Sequence, residues 1–176
     1  NHLKKHIQRG DIYEVNYCQE YVSYNTDIKD VICTYVNLNN TTKAPFSSLF
    51  CFEEFTIFSC SPERFIKKND LHLLTQPIKG TARRGKNDTE DRLLIDNLKN
   101  DPKERSENIM IVDLMRNDLS KLAEKGTVEV DELCEIYSFE TVHQMISSVS
   151  CQLKKKYSFV DILRATFPMG SMTGAP

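Results

Sequence analysis

One uninterrupted helical pattern, from Pro102 to about Ala123, sets the largest constraint on this 176-residue chain. At 1.5 Å per residue such a helix is about 33 Å long, and its apolar face has to be covered by a surface of similar extent. Ile109, Val112, Met115, Leu119 and Leu122 recur at helical spacing and form the expected core stripe. Asn100-Asp101-Pro102 ends the helical stretch before it and caps this one, with proline in a first turn that needs no N–H donor. Gly126 stops it. Two long strand-like stretches follow at once, Val128 to Tyr137 and Val142 to Leu153. The rest is shorter. A helix is expected from His2 to Gln8, ended by Gly10, and another from an Asp27 cap to about Leu38, before a polar loop from Asn39 to Pro45. Ile12 to Tyr24 alternates as a strand does, which puts Glu14 and Asn16 on one face. Ser48 to Phe52 and Phe55 to Cys60 read as strands, and Phe65 to Thr75 as a hairpin turning at Asn69-Asp70. Helices are expected from Asp88 to Leu98 and from Ser158 to Thr166. Strands and helices come in runs rather than in strict βαβ alternation, so the fold class is α+β.

Composition closes off several functions. The net charge of −2 gives no electrostatic case for nucleic acid as a partner. No apolar run is long enough to span a bilayer, so no membrane is implied. Six cysteines contain no CxxC pair and mostly lie in apolar runs, which points to buried, reduced thiols and a cytoplasmic setting. Together with the four histidines they show no zinc spacing. The absence of an initiator Met and the closing Gly/Ser/Thr-rich stretch are read as those of a piece, truncated at both ends, of one longer catalytic domain.

Residues with chemistry to offer concentrate in five places. Lys79 sits between Pro77 and Gly80 in an expected tight loop, followed by Arg83, Arg84 and Gly85. It is a candidate nucleophile or anion contact, or else part of a basic surface loop. Glu63, after an apolar strand and Ser61-Pro62, is a candidate general acid or base, or a surface carboxylate paired with Arg64. Glu104 and Glu107 share a face of the long helix and can hold a hard divalent cation, or simply offset the helix macrodipole. In the strand Val142-His143-Gln144, alternation puts His143 and Gln144 on opposite faces. The stretch from Pro168 to Pro176 offers N–H and O–H donors to an anion. Arg116-Asn117-Asp118 is read as structural hydrogen bonding and helix-to-sheet ion pairing.

Five motifs occur in a specific order: Gly10-Asp11-Ile12-Tyr13-Glu14-Val15-Asn16; Ser61-Pro62-Glu63-Arg64-Phe65; Pro77-Ile78-Lys79-Gly80-Thr81; Asp101 to Asn108 leading into Ile111 to Leu119; and Phe167 to Pro176. This set resembles the chorismate-utilising enzymes, and within them most closely the aminodeoxychorismate synthase component I branch. The resemblance covers essentially the whole chain. It implies two large packed sheets ringed by helices. It also implies Mg²⁺ on glutamates, and conversion of chorismate and ammonia to 4-amino-4-deoxychorismate on the way to p-aminobenzoate and folate. The ammonia would come from a glutamine amidotransferase subunit or domain.

Carried over residue by residue, the resemblance makes Lys79 a covalent nucleophile and Glu63 the general acid/base. Gly80, Thr81, Gly170 and Ser171 become substrate contacts, Glu107 a metal ligand, and Glu104 a second one acting through water. Arg83 or Arg84 is expected to help keep Lys79 neutral. Two positions depart from the pattern. Glu14 stands where amine-adding members usually carry glutamine and water-adding members a base lysine, so its role is open. Gln144 stands where the family usually has histidine, and is taken as the substrate-side group in place of His143. Further metal and substrate residues are expected beyond Pro176, so the 176-residue chain alone is expected to be an incomplete active site. Two other readings stay open: anthranilate synthase component I, against which Lys79 speaks because that enzyme carries alanine there, and a non-catalytic scaffold that docks the amidotransferase.

Overall fold

The structure is a computed structural model and describes residues 2–173. In chain order its elements are helix α1 (His2–Arg9), helix α2 (Val31–Thr42), and strands β1 (Phe46–Cys51), β2 (Thr56–Ser61), β3 (Arg64–Asn69), β4 (His72–Gln76) and β5 (Ile78–Arg83). Helices α3 (Asp88–Asn100) and α4 (Pro102–Ser120), strands β6 (Glu129–Ser138) and β7 (Val142–Gln152), and helices α5 (Phe159–Thr166) and α6 (Gly170–Thr173) complete it. The chain forms two compact units, one of Asn1–Asn16 with Phe65–Pro176, the other of Tyr17–Arg64.

In the smaller unit β1 and β2 pair antiparallel, from Phe46 opposite Ser61 to Cys51 opposite Thr56. Helix α2 is tied to the hairpin by Tyr35 Oη donating to Ser47 Oγ at 3.1 Å, and by Ser47 Oγ donating to Asn39 Oδ1 at 2.6 Å. The cap of α2 is Asp30, which accepts from the Cys33 N–H, not Asp27. The helix also runs through the expected loop at Asn39. The hydroxyls of Thr34, Thr41 and Thr42 each bond the carbonyl four residues back, so polar side chains are satisfied along the helix itself. The strand expected from Ile12 to Tyr24 does not form; that stretch is irregular.

The larger unit is organised around β7. Strand β6 pairs antiparallel along one edge of it, and β4 and β5 pair antiparallel in succession along the other, with β3 beside β4. Pro77 separates β4 from β5 without breaking the line. It has no N–H to give, but its carbonyl still accepts from Ser147 N at 3.2 Å. Lys79 therefore lies on a strand, β5, and not in the expected loop. The ladder is irregular between Ile78 and Thr81, where Gly80 takes a left-handed φ of 97°.

Helix α4 covers the sheet. Its buried stripe is Ile111, Val112, Met115 and Leu119, packed with Leu73, Val149, Cys151, Leu153 and Ile162. Burial of each large aliphatic side chain stabilises by about 1.5–3 kcal/mol. Ile109, expected in the stripe, is 44% exposed, because the stripe is rotated toward position 108. Asp101 caps α4 by accepting from the N–H groups of Lys103 and Glu104. Among the described residues the Arg116-Asn117-Asp118 step makes no ion pair with the sheet. Arg116 pairs with Asp113 one turn back at 3.0 Å, and Asp118 pairs with Lys121, whose Nζ also reaches Ala165 O near the end of α5. All six cysteines are free, but only Cys134 and Cys151 are buried, and Cys18, Cys33 and Cys51 are exposed. Burial pushes the Cys151 thiol up to about 11.

Position 108 on that stripe is a buried asparagine, 1% exposed. Asn108 Nδ2 donates to Lys79 O at 3.3 Å and to Met145 O at 3.2 Å. Its Oδ1 accepts from Ser147 Oγ and, at 3.7 Å, from Cys134 Sγ. Ser147 Oγ in turn accepts from Cys134 N at 2.9 Å, where β6 bulges through a left-handed Cys134. One carboxamide thus joins α4 to β5, β6 and β7. Asn108→Ala strands the groups it now satisfies and is expected to cost about 2–4 kcal/mol in urea unfolding. A loss within 0.5 kcal/mol, the range of ordinary surface changes, would mean the network is not structural.

Candidate active site

Lys79 leaves β5 carrying an ammonium into a mostly enclosed setting. Its Nζ lies 2.6 Å from Glu14 Oε1, and both side chains are 15% exposed. Glu14 reaches it from the irregular segment after α1, which is held at both ends. Asp11 binds His6 Nδ1 at 2.7 Å, and Asn16 Nδ2 donates to Ser171 O at 3.0 Å. So Glu14 and Asn16 do face the same neighbourhood, although not as strand residues. Arg83 and Arg84 do not supply the positive charge expected beside Lys79. Arg83 is paired with Glu90 and Arg84 bidentately with Asp91, both on α3.

Three buried oxygens in this unit have no hydrogen-bond partner among the described residues: Glu14 Oε2, Gln144 Oε1 and Ser171 Oγ. Thr81 stands directly opposite Gln144 in the β5–β7 ladder. Gly80 passes under α4, where an added Cβ would lie 3.2 Å from Glu104 Cβ. The structure thus links Lys79, Gly80, Thr81 and Gln144 through one ladder, with Ser171 tied in through Asn16. Gly170 is buried against α4, and an added Cβ there would lie 2.2 Å from Leu114 Cδ2, so a larger residue would force the Leu114 side chain to move. Residues 174–176 of the expected donor loop lie outside the described residues.

His143 faces the other way, fully buried. Its Nε2 lies 2.9 Å from Asp91 Oδ1, an acceptor only, so Nε2 carries the proton. Its Nδ1 lies 2.8 Å from Ser138 Oγ. Asp91 also accepts from Gly85 N, and Arg84 Nη1 donates to Phe139 O. This cluster clamps α3 to the sheet. The Asp91 carboxyl is held far below the usual carboxylate range by the Arg84 guanidinium first, then by Gly85 N–H and His143.

Glu104 and Glu107 sit in the first turns of α4, and Lys103 Nζ lies between them at 3.3 and 3.0 Å. Those two carboxylates raise the Lys103 ammonium's pKa. Among the described residues no group of three or more His, Cys, Asp or Glu side chains converges as a metal site. Glu63 belongs to the smaller unit. It follows β2 in a turn fixed by its own N–H donating to Ser61 Oγ at 3.2 Å. Among the described residues no helix is long and apolar enough to cross a membrane.

The sequence profile of the chorismate binding enzymes matches residues 1–176. The chain belongs to the chorismate-binding enzyme family. It is 41% identical over 174 residues to aminodeoxychorismate synthase component 1 of Klebsiella aerogenes, covering 99% of this chain and 38% of that protein. It is 34% identical over 173 residues to anthranilate synthase component 1 of Aquifex aeolicus, covering 98% of this chain and 35% of that one. Among solved structures it is similar to anthranilate synthase component I of Streptococcus pneumoniae, with a TM-score of 0.73 at 31% identity over 84% of this chain and 32% of that one. The chain therefore spans well under half the length of these chorismate-binding relatives. The α+β class and the chorismate-binding fold expected from its motifs hold.

Two residues that shape this candidate site carried no role in the sequence reading. Asn108 had a visible signal: it falls in register with Val112, Met115 and Leu119, a polar side chain on an apolar stripe. Asp91 had none, because His143 is 52 residues away in the chain. The depressed Asp91 carboxyl contributes stability that is present above about pH 4, its unfolded range, and is lost as pH falls toward its folded value. Denaturant midpoints should therefore fall between about pH 5 and pH 3, and Asp91→Asn should be weaker at pH 5 with a flatter acid dependence. Parallel curves for the two proteins would show that this clamp does not govern acid stability.

Proposed function

We propose that this chain is the chorismate-binding part of an aminodeoxychorismate synthase component I, and that both of its compact units belong to one catalytic domain of a longer protein. The supporting observation is Lys79 itself, held on β5 with its amine largely enclosed, in a chain 41% identical to relatives of that name. In this reading the Lys79 amine adds to the ring of chorismate. A C–N bond forms, the ring electron pairs shift and the C4–O bond breaks, with Glu63 protonating the departing hydroxyl. Ammonia then forms a bond at C4 and Lys79 leaves, giving 4-amino-4-deoxychorismate. A difficult substitution is thereby divided into two easier ones.

Gly80, Thr81, Gln144, Gly170 and Ser171 are assigned to the substrate. The buried oxygens of Gln144 and Ser171, without a partner among the described residues, support this, since buried polar atoms ordinarily have partners. Glu107 fits Mg²⁺ in the chemistry of its donor, a hard carboxylate oxygen that would hold the ion, and Glu104 on the same face would act on it through water. When bound, the ion would neutralise a carboxylate of the substrate. Lys103, which now holds both glutamates, would have to give way to it. The ammonia is assigned to a glutamine amidotransferase subunit or domain, and the setting to the cytoplasm, which six unpaired thiols support.

The full-length protein, given chorismate, Mg²⁺ and ammonium, should form aminodeoxychorismate by chromatography, and Lys79→Ala should cut that product at least about a hundredfold. Anthranilate from the unmodified protein would replace this reading with the anthranilate synthase one. Glu104→Gln should weaken Mg²⁺ activation about ten- to a hundredfold, as loss of an outer-sphere partner does. An unchanged Mg²⁺ dependence would remove Glu104 from the metal site.

A further inference from the structure

The steps above leave a buried carboxylate unused, although it touches the reacting nitrogen. We propose that Glu14 is the proton acceptor that converts Lys79 from ammonium to nucleophilic amine, and that it returns the same proton when the lysine leaves. This rests on the covalent-lysine reading above and goes beyond it by assigning the proton.

The geometry carries the assignment. Glu14 Oε1 lies 2.6 Å from Lys79 Nζ, at the short end for a charge-assisted hydrogen bond. Both partners are held from behind: Glu14 by the Asn16 bond to Ser171 O, and the Lys79 backbone by Asn108 Nδ2. Glu14 Oε2 is buried without a partner among the described residues, so this carboxylate is incompletely solvated as an anion. Burial disfavours the carboxylate and the ammonium alike. Passing one proton from Nζ to Oε1 removes both charges with no change in net charge.

Several charged groups of the surrounding elements are engaged with one another. On β5 and α3, Arg83 is paired with Glu90 and Arg84 with Asp91. On α4, Glu104 and Glu107 share Lys103. On β6, Glu132 accepts from Tyr137 and Ser148, and Glu135 lies 3.6 Å from Lys99. On β7, His143 is turned to Asp91.

The proton balance is complete. The Nζ–H bond breaks and an Oε1–H bond forms. The freed lone pair makes the C–N bond to the ring, and the C4 hydroxyl leaves as water with the proton assigned to Glu63. In the second half neutral ammonia bonds at C4, the C–N bond to Lys79 breaks, the released amine recovers its proton from Glu14, and the ammonium formed at C4 gives up one proton, which restores Glu63.

The test compares the full-length protein with Glu14→Gln and Lys79→Ala. It follows aminodeoxychorismate formation at saturating chorismate and ammonium from about pH 6 to about pH 10, up toward the ordinary lysine pKa of about 10.4 at which solvent takes the proton. Glu14→Gln should lower kcat at least tenfold near neutrality and recover toward the unmodified enzyme as pH rises, with KM for chorismate within about twofold. A Glu14→Gln enzyme with unchanged kcat and pH profile overturns the proposal, and so does one reduced equally at every pH, which is the mark of a purely structural role. If Glu14→Gln does not fold by circular dichroism, Glu14→Asp decides. A lower kcat that recovers as pH rises supports the proposal, and an unchanged kcat and profile, or a kcat reduced equally at every pH, overturns it. Failure of the underlying reading looks different: an unmodified enzyme that makes no aminodeoxychorismate, or a Lys79→Ala enzyme that still makes it, removes the covalent lysine and this proposal with it.

Discussion

The buried carboxamide of Asn108 is the contact on which the rest of the larger unit depends. Both of its donor hydrogens and its oxygen are used, and its partners lie on three different strands. A buried amide left half-satisfied costs about 1–3 kcal/mol for each stranded group, so α4 can sit on this sheet in only one register. That register places Lys79 O under α4, brings Glu104 over Gly80, and sets the direction in which the Lys79 side chain leaves β5. A carboxamide in the middle of an apolar stripe thus positions the residue with the most chemistry to offer.

Strand β7 divides two tasks between adjacent residues. His143 joins a fully bonded cluster with Asp91, Ser138 and, through Asp91, Arg84, which makes it a fastener between helix α3 and the sheet. Gln144, on the opposite face, keeps a buried oxygen without a partner among the described residues. A fold that satisfies every atom around His143 and leaves Gln144, Ser171 and Glu14 each with a free buried oxygen treats the two sides differently. Unpartnered buried polar atoms are rare in folded proteins and concentrate where something else binds or reacts.

The Lys79–Glu14 contact also changes the chemical problem posed by the lysine. With cationic neighbours, the amine would be freed by repulsion. With a buried carboxylate at 2.6 Å, it has a counter-ion instead, and an acceptor that can take its proton without solvent. The arginines that looked available are consumed by Glu90 and Asp91 on α3.

The sequence by itself determined the order and type of most elements from Phe46 onward, the cap of α4, and the family, because these depend on local pattern and on motifs in fixed order. It misjudged where information was not local. Alternation from Ile12 to Tyr24 mimicked a strand, but no neighbouring strand offers a ladder to that segment. The threonines near the end of α2 read as loop because their hydroxyl bonds to the helix cannot be seen in composition. Pro77 and Gly80 read as a loop because the partner that keeps them extended, β7, lies almost seventy residues on. The site was legible as residue types and not as pairs. Lys79 with Glu14, Asn108 with three strands, and Asp91 with His143 are contacts 65, 26 to 39 and 52 residues apart. Only tertiary structure decides such pairings, because a charge or a carboxamide takes whichever partner the packing of the sheet and its helices delivers.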